Sequence, residues 1–235
     1  CFTERKNGDV LVGTSGLGVM KFSDRNTACQ LGGPFADIHT VNALIEDKKG
    51  ALWMLTSTGL FCYDGSQMRQ YLADRSDLTM VSACEDHEGN VYVGTNEGLY
   101  RQQGDQFVHV AATGNTSISA LHCDRYDRIL VGYDVKGIAI YDPRKNEVED
   151  NPFFSMEVDL ARSKVYSIIE DYSGNIWLGL LQKGLYKQPI VFNGFQYMGY
   201  KLGARNAIGP ACVVSVMIDS KQRTWVGTDK DGLYL

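Results

Sequence analysis

The chain has 235 residues, a net charge of −5, 11% aromatic residues and 25 glycines. No basic cluster offsets the acidic balance, which argues against nucleic acid or an anionic membrane surface as a partner. No apolar run approaches the roughly 18 residues of a membrane span, and no secretory leader pattern is present.

In chain order, Cys1–Glu4 reads as an inner strand, followed by Val10–Thr14 and Val19–Phe22, with Ala28–Leu31 as an outer strand before the break at Gly32-Gly33-Pro34. VNALIEDKKGALWMLTSTGLF (Val41–Phe61) then gives three strands and Met68–Leu72 a fourth. MVSACEDHEGNVYVGTNEGLY (Met80–Tyr100) repeats the pattern, with Gln106–Val110 as its outer strand. ISALHCDRYDRILVGYDVKGIAIY (Ile118–Tyr141) is followed by a longer polar connection, Asp142–Arg162. VYSIIEDYSGNIWLGLLQKGLY (Val165–Tyr186) is followed by a tail, Pro189–Gly209, that carries Phe192, Phe195, Tyr197 and Tyr200. VVSVMIDSKQRTWVGTDKDGLY (Val213–Tyr234) ends without an outer strand.

These are copies of one module. The turn acids Asp47, Asp86, Asp124, Asp171 and Asp219 are 39, 38, 47 and 48 residues apart, the period of a four-stranded propeller blade and not of a helical repeat. Trp53, Trp177 and Trp225 share one position of the module, with Leu11, Tyr92 and Leu130 in the other copies. The expected fold is all-β: a β-propeller of four-stranded antiparallel blades, about six present with the last incomplete, as part of a seven-bladed ring. The blades fall at about 1–35, 36–74, 75–112, 113–158, 159–207 and 208–235. Because the chain opens within an inner strand and stops after a third strand, it reads as a single propeller segment of a longer protein.

The acidic pairs Glu46-Asp47, Glu85-Asp86 and Glu170-Asp171 recur on one phase, so they read as turn formers and not as an acid–base site, which would occur once. Six cysteines lack metal-type spacing and are expected to be buried free thiols; Cys62, Cys84 and Cys123 fall on strands. His122 and Cys123 are strand neighbours pointing to opposite faces, and His39, His87, His109 and His122 share no ligand spacing. No catalytic residue, metal site or cofactor is expected.

What remains is a binding surface. Loops joining second to third strands gather on one face of a propeller, and here their middle residues diverge: Asn96 and Glu97; Tyr133, Asp134 and Lys136; Gln182 and Lys183; Asp229 and Lys230. Variable loops on a repeated frame are where recognition sits. Polar groups beside Tyr133 suit an oligosaccharide or another small polar ligand.

The shared pattern, with its EDYSGNIWLG…GLY and EDKKGALWML…GLF copies, resembles the two-component regulator propeller repeat. Unit four departs, with Asp127 for the turn glycine and Leu130 for the tryptophan. The resemblance implies a periplasmic sensor domain of a membrane-spanning hybrid histidine kinase of the Bacteroides type, detecting oligosaccharides and controlling polysaccharide-utilisation genes. It also implies homodimerisation, a phosphorelay outside this segment, and no direct contact of the segment with membrane or nucleic acid. Two other classes stay open: a propeller enzyme of the lyase or sialidase kind, and a protein-binding scaffold. IDSKQRTWVG (Ile218–Gly227) is distantly similar to a sialidase Asp-box, but Asp219 lies farther from Trp225 than that motif allows.

Overall fold

A computed structural model describes residues 1–22, 27–153, 155, 158–189, 208, 212–221 and 223–235. The chain divides into two compact units, Cys1–Ile190 and Val191–Leu235.

The first unit holds five antiparallel sheets in sequence. The first is β1 (Phe2–Glu4), β2 (Val10–Gly13), β3 (Val19–Phe22) and β4 (Ala28–Gln30). The second is β5 (Val41–Glu46), β6 (Leu52–Thr56), β7 (Gly59–Tyr63) and β8 (Met68–Tyr71). The third is β9 (Met80–Glu85), β10 (Val91–Thr95), β11 (Gly98–Gln103) and β12 (Gln106–His109). The fourth is β13 (Ile118–Cys123), β14 (Ile129–Tyr133), β15 (Ile138–Asp142) and β16 (Glu147–Asp150). The fifth has three strands among the described residues: β17 (Val165–Glu170), β18 (Ile176–Leu180) and β19 (Gly184–Gln188). In the second unit, β20 (Val213–Ile218), β21 (Thr224–Thr228) and β22 (Leu233–Tyr234) form another three-stranded meander.

The predicted strands are found nearly residue for residue. One was missed. β16 lies inside the segment read as a polar connection, because its sequence EVED offers no apolar alternation, and it is held by the backbone ladder to β15. The aromatic tail at 190–207 lies outside the described residues.

The first strands β1, β5, β9, β13 and β17 lie side by side in chain order without sharing a hydrogen-bonded sheet. Each sheet therefore packs face to face on the next, as blades do. β6, β10 and β14 are buried along their whole length, because side chains alternate between two covered faces. Leu52 and Met54 point back into the layer shared with the first sheet, whereas Trp53 and Leu55 point forward into the layer with Val91, Val93, Tyr100 and Phe107 of the third. Tyr92 and Leu130, at the tryptophan position, likewise point forward into the next two layers. The core is thus a row of four apolar layers, one per junction.

Where the module reads Val-Gly, the glycine is required by close approach. A Cβ on Gly132 would stand 2.9 Å from Val165 of the next first strand, and one on Gly94 would stand 2.6 Å from Ile118. Short 3₁₀ turns at Gly33–Phe35, Ala111–Thr113 and Leu160–Arg162 lead from outer strand to next inner strand, and Phe35 and Leu160 plug the apolar layers.

The acidic pairs do two jobs. In each, the aspartate closes its turn: Asp47 Oδ1 accepts the N–H groups of Lys49 and Ala51, both at 2.9 Å. Its other oxygen accepts the ring donor six residues on, from Trp53 Nε1 (2.9 Å), Trp177 Nε1 (2.9 Å), Trp225 Nε1 (3.0 Å) or Tyr92 O–H (3.2 Å). Leu130 has no donor, and Arg128 Nε serves Asp124 instead, at 2.8 Å. The three tryptophans thus make the same bond, although Trp53 is buried and Trp177 and Trp225 are partly exposed. The glutamate stitches neighbouring sheets by accepting a turn N–H from the preceding module: Lys6 to Glu46 (2.6 Å), Lys48 to Glu85 (2.9 Å) and Arg125 to Glu170 (2.9 Å).

Candidate ligand-binding surface

The second-to-third-strand loops are built alike. A threonine hydroxyl bonds the carbonyl of the glycine that ends the loop, as in Thr56 to Gly59 (2.8 Å), Thr95 to Gly98 (2.9 Å) and Thr228 to Gly232 (2.8 Å). The next residue donates its backbone N–H to the carbonyl just before the first strand: Asn96 to Thr79 (3.0 Å), Asp134 to Ser117 (3.0 Å), Leu181 to Lys164 (3.0 Å) and Asp229 to Cys212 (3.1 Å). This repeated tie shapes the rim.

Most of the side chains expected to recognise a ligand are engaged by neighbouring groups. Asn96 Oδ1 accepts the Thr79 N–H at 2.7 Å, and its amide reaches the Asp77 carbonyl at 3.3 Å. Asp229 Oδ1 accepts the Cys212 N–H at 3.0 Å in the second unit. Asp134 pairs with Lys164, whose ammonium its carboxylate holds above the ordinary lysine range. Lys136 pairs with Asp150 at 2.8 Å. Lys183 Nζ bonds Ser163 Oγ at 2.9 Å. Tyr133 is fully buried, its hydroxyl 3.3 Å from the Thr113 carbonyl, so the expectation that it presents a ring to ligand is corrected: it is a core residue with Lys136 over its face. Gln182 is exposed at a positive φ of 56°, and Lys230 is exposed on the second unit.

Glu97 differs, because its carboxylate leads into a charged cluster beside a groove between two sheets. Arg75 Nη2 stands 2.6 Å from Glu97 Oε2 and 2.9 Å from Asp77 Oδ2, while Arg75 Nη1 donates to the Tyr100 hydroxyl at 3.0 Å. The Asp77 bond, then those to Glu97 and Tyr100, hold the guanidinium well above its usual range. From there a groove of about 740 Å³ runs between the outer strands β8 and β12, floored by Tyr71, Tyr100 and Phe107 and edged by Arg69, Gln70 and Asp105. Burial raises the Tyr71 hydroxyl, so it stays protonated. Arg69 is the loosely held cation of the rim, 3.9 Å from both Asp64 and Asp105 and half-exposed. Smaller grooves of about 390 and 370 Å³ mark the next two junctions. Sequence reading found Glu97 but missed Arg69, Tyr71 and Arg75. Only the other loop set that gathers on this face, from outer strand to next inner strand, could have pointed to Arg75.

Side chains far apart in sequence also meet at the opposite end of the sheets. His87 Nδ1 is 2.7 Å from Asp127 Oδ1, Cys123 Sγ is 3.9 Å from that oxygen, and the three donors lie within 4.8 Å of one another. The lack of ligand spacing among the histidines therefore hid a spatial cluster. Cys62 is buried and Cys84 and Cys123 partly so, whereas Cys1, Cys29 and Cys212 are exposed, against the expectation of burial for all six.

No protein-family profile matches the chain, and no curated protein matches it in sequence. Solved structures do. The extracellular domain of BT3049 from B. thetaiotaomicron, assigned as a hybrid two component system, superposes with a TM-score of 0.66 at 17% identity, over 99% of this chain and 32% of that one. The extracellular domain of BT4673 from the same organism, assigned as a one component system, gives 0.63 at 18% identity, over 94% of this chain and 37% of that one. Virginiamycin B lyase from Staphylococcus aureus, solved with quinupristin, gives 0.59 at 12% identity, over 99% of this chain and 78% of that one. The chain spans about a third of the length of the two sensor domains. At such identities the likeness establishes the fold, an all-β propeller, and the sensor domains match the repeat resemblance read from the sequence.

Proposed function

We propose that the chain is an extracytoplasmic ligand-sensing propeller of a two-component, hybrid histidine kinase system, which detects an oligosaccharide and regulates polysaccharide-utilisation genes. The observation that carries this reading is the agreement between the repeat in the sequence and the fold of the sensor extracellular domains along nearly the whole chain. The groove between β8 and β12 is the proposed ligand site. Its volume suits a small oligosaccharide, the half-buried Tyr71 offers its ring to sugar C–H groups, and Arg69, Gln70, Asp74 and Gln106 offer hydrogen bonds to hydroxyls. Binding, or a ligand-favoured homodimer, acts by favouring one arrangement of the sensor over another. No helix of the described residues is long and apolar enough to cross a membrane.

The test is calorimetry and thermal denaturation of the chain against a panel of plant and host oligosaccharides. A ligand present at 100 times its Kd stabilises the folded state by about 2.7 kcal/mol, a readily measured rise in Tm. Arg69→Ala with Gln106→Ala, both at the groove surface, is expected to abolish that rise while leaving the unliganded Tm within a few degrees. No response to any glycan removes the oligosaccharide reading, and a response unaffected by the double substitution removes the groove. Breakdown of a panel compound would favour an enzyme on the same frame.

A further inference from the structure

We propose a divalent transition-metal site, of the kind that takes Zn²⁺, formed by His87 Nδ1, Cys123 Sγ and an Asp127 carboxylate oxygen at the junction of the third and fourth sheets.

Three observations combine. The donor atoms converge from separate places in the chain: His87 from the β9–β10 turn, Cys123 from the end of β13 and Asp127 from the β13–β14 turn, all within 4.8 Å. A tetrahedral centre with bonds of about 2.0–2.3 Å to nitrogen, oxygen and sulfur sets its donors roughly 3.3–3.7 Å apart; side-chain shifts of about an ångström from the present 2.7 Å (His87 to Asp127) and 3.9 Å (Cys123 to Asp127) reach that spacing, with water as fourth ligand. The donor set, one imidazole, one thiolate and one carboxylate, is borderline in softness and fits zinc better than calcium or magnesium, which prefer oxygen alone.

The third observation is where the module departs from itself. At the register position of Cys123, paired with Ile129, the neighbouring modules carry Glu46, Glu85 and Glu170. At the position of Asp127 they carry Gly50, Gly89 and Gly174, each with φ between 84° and 88°. Asp127 takes φ 62° there, a conformation that favours glycine. Its carboxylate takes over the stitch that the missing glutamate would make, accepting the His87 N–H at 2.7 Å. A stitch alone needed neither exchange, since a glutamate at 123 supplies it in the other modules. The pair of exchanges puts a thiol at the junction and keeps a carboxylate beside it, facing a histidine ring that is half-exposed and so open to an ion from solvent.

On binding, the thiol proton leaves to solvent and a sulfur–metal bond forms; the His87–Asp127 contact is exchanged for two bonds to the ion, and no redox step is involved. The metal then clamps the third sheet to the fourth.

The test uses the full chain with Cys1, Cys29 and Cys212 changed to Ser, which removes the exposed thiols. Co²⁺ serves as the optical probe and Zn²⁺ as competitor. The expected result is a thiolate-to-cobalt charge-transfer band with the visible bands of a tetrahedral centre, bleached by one equivalent of Zn²⁺. Cys123→Ser abolishes the charge-transfer band. His87→Ala and Asp127→Asn each weaken Zn²⁺ binding at least about tenfold, and Asn keeps an oxygen for the His87 N–H, so the stitch survives while the charge goes. Circular dichroism and Tm of the metal-free variants establish that they fold. A band that persists in Cys123→Ser, or no binding of either ion at micromolar concentration by a folded background protein, overturns the site.

Discussion

The indole Nε1 of Trp53 lies 2.9 Å from Oδ2 of Asp47, and both residues are buried. The same bond joins Trp177 to Asp171 and Trp225 to Asp219, so in each of these modules the ring fixes the turn that precedes its strand.

Removing the acceptor should therefore cost more than removing the donor. Asp47→Ala strands the indole N–H and two turn amides and is expected to destabilise the chain by about 3 kcal/mol, whereas Trp53→Phe keeps the turn bonds and most of the apolar area and should cost about half as much. Urea unfolding of the two variants measures the order. Equal losses, or a larger loss for Trp53→Phe, would show that the ring works by volume alone.

The same bonds set a response to acid. The hydrogen bonds from Asn175 and Trp177 hold the Asp171 carboxyl well below the usual carboxylate range, and those from Trp225 and Arg223 bring Asp219 to about 2. A depressed folded pKa means that the associated stability is fully present above the unfolded value of about 3.9 and is lost as pH falls through the folded value. Urea midpoints should thus hold steady down to about pH 4 and drop between there and pH 2. Carboxyl-detected NMR titration checks the assignment, and an Asp219 midpoint near 3.9 would refute it.

The exchange in the fourth module predicts coupling between two positions. In metal-free buffer, Asp127→Gly relieves an aspartate at positive φ but frees the His87 N–H, while Cys123→Glu sets a second carboxylate beside Asp127. Together they restore the arrangement of Glu85 and Gly89, and the double variant should equal the parent in stability within about 0.5 kcal/mol. Both singles should be less stable by about 1 kcal/mol or more. Strict additivity in a double-mutant cycle would mean that the two exchanges are unrelated.

Much of this fold is written locally. The strand ends of β17 and β5 follow from runs closed by Asp-x-x-Gly turns, and the tryptophan phase marks the forward face of β2, β6, β10 and β14. β16 was not legible, because EVED carries no apolar period and owes its conformation to a neighbour. The rim was half legible. Its loops could be placed, but Asn96 looks free in sequence only because its partner Thr79 lies on the far side of a meander, and Tyr133 looks like a rim aromatic until the third sheet covers it. His87, Cys123 and Asp127 were invisible for the same reason: their neighbourhood arises from stacking, not from spacing.

Since, among the described residues, each of the four apolar layers of the first unit is shared by two consecutive sheets and by no other pair, mechanical load should be borne serially. Drawn from its ends, that unit would come apart as a zipper opens, one tooth after another, and the force needed at each step would report the quality of a single seam.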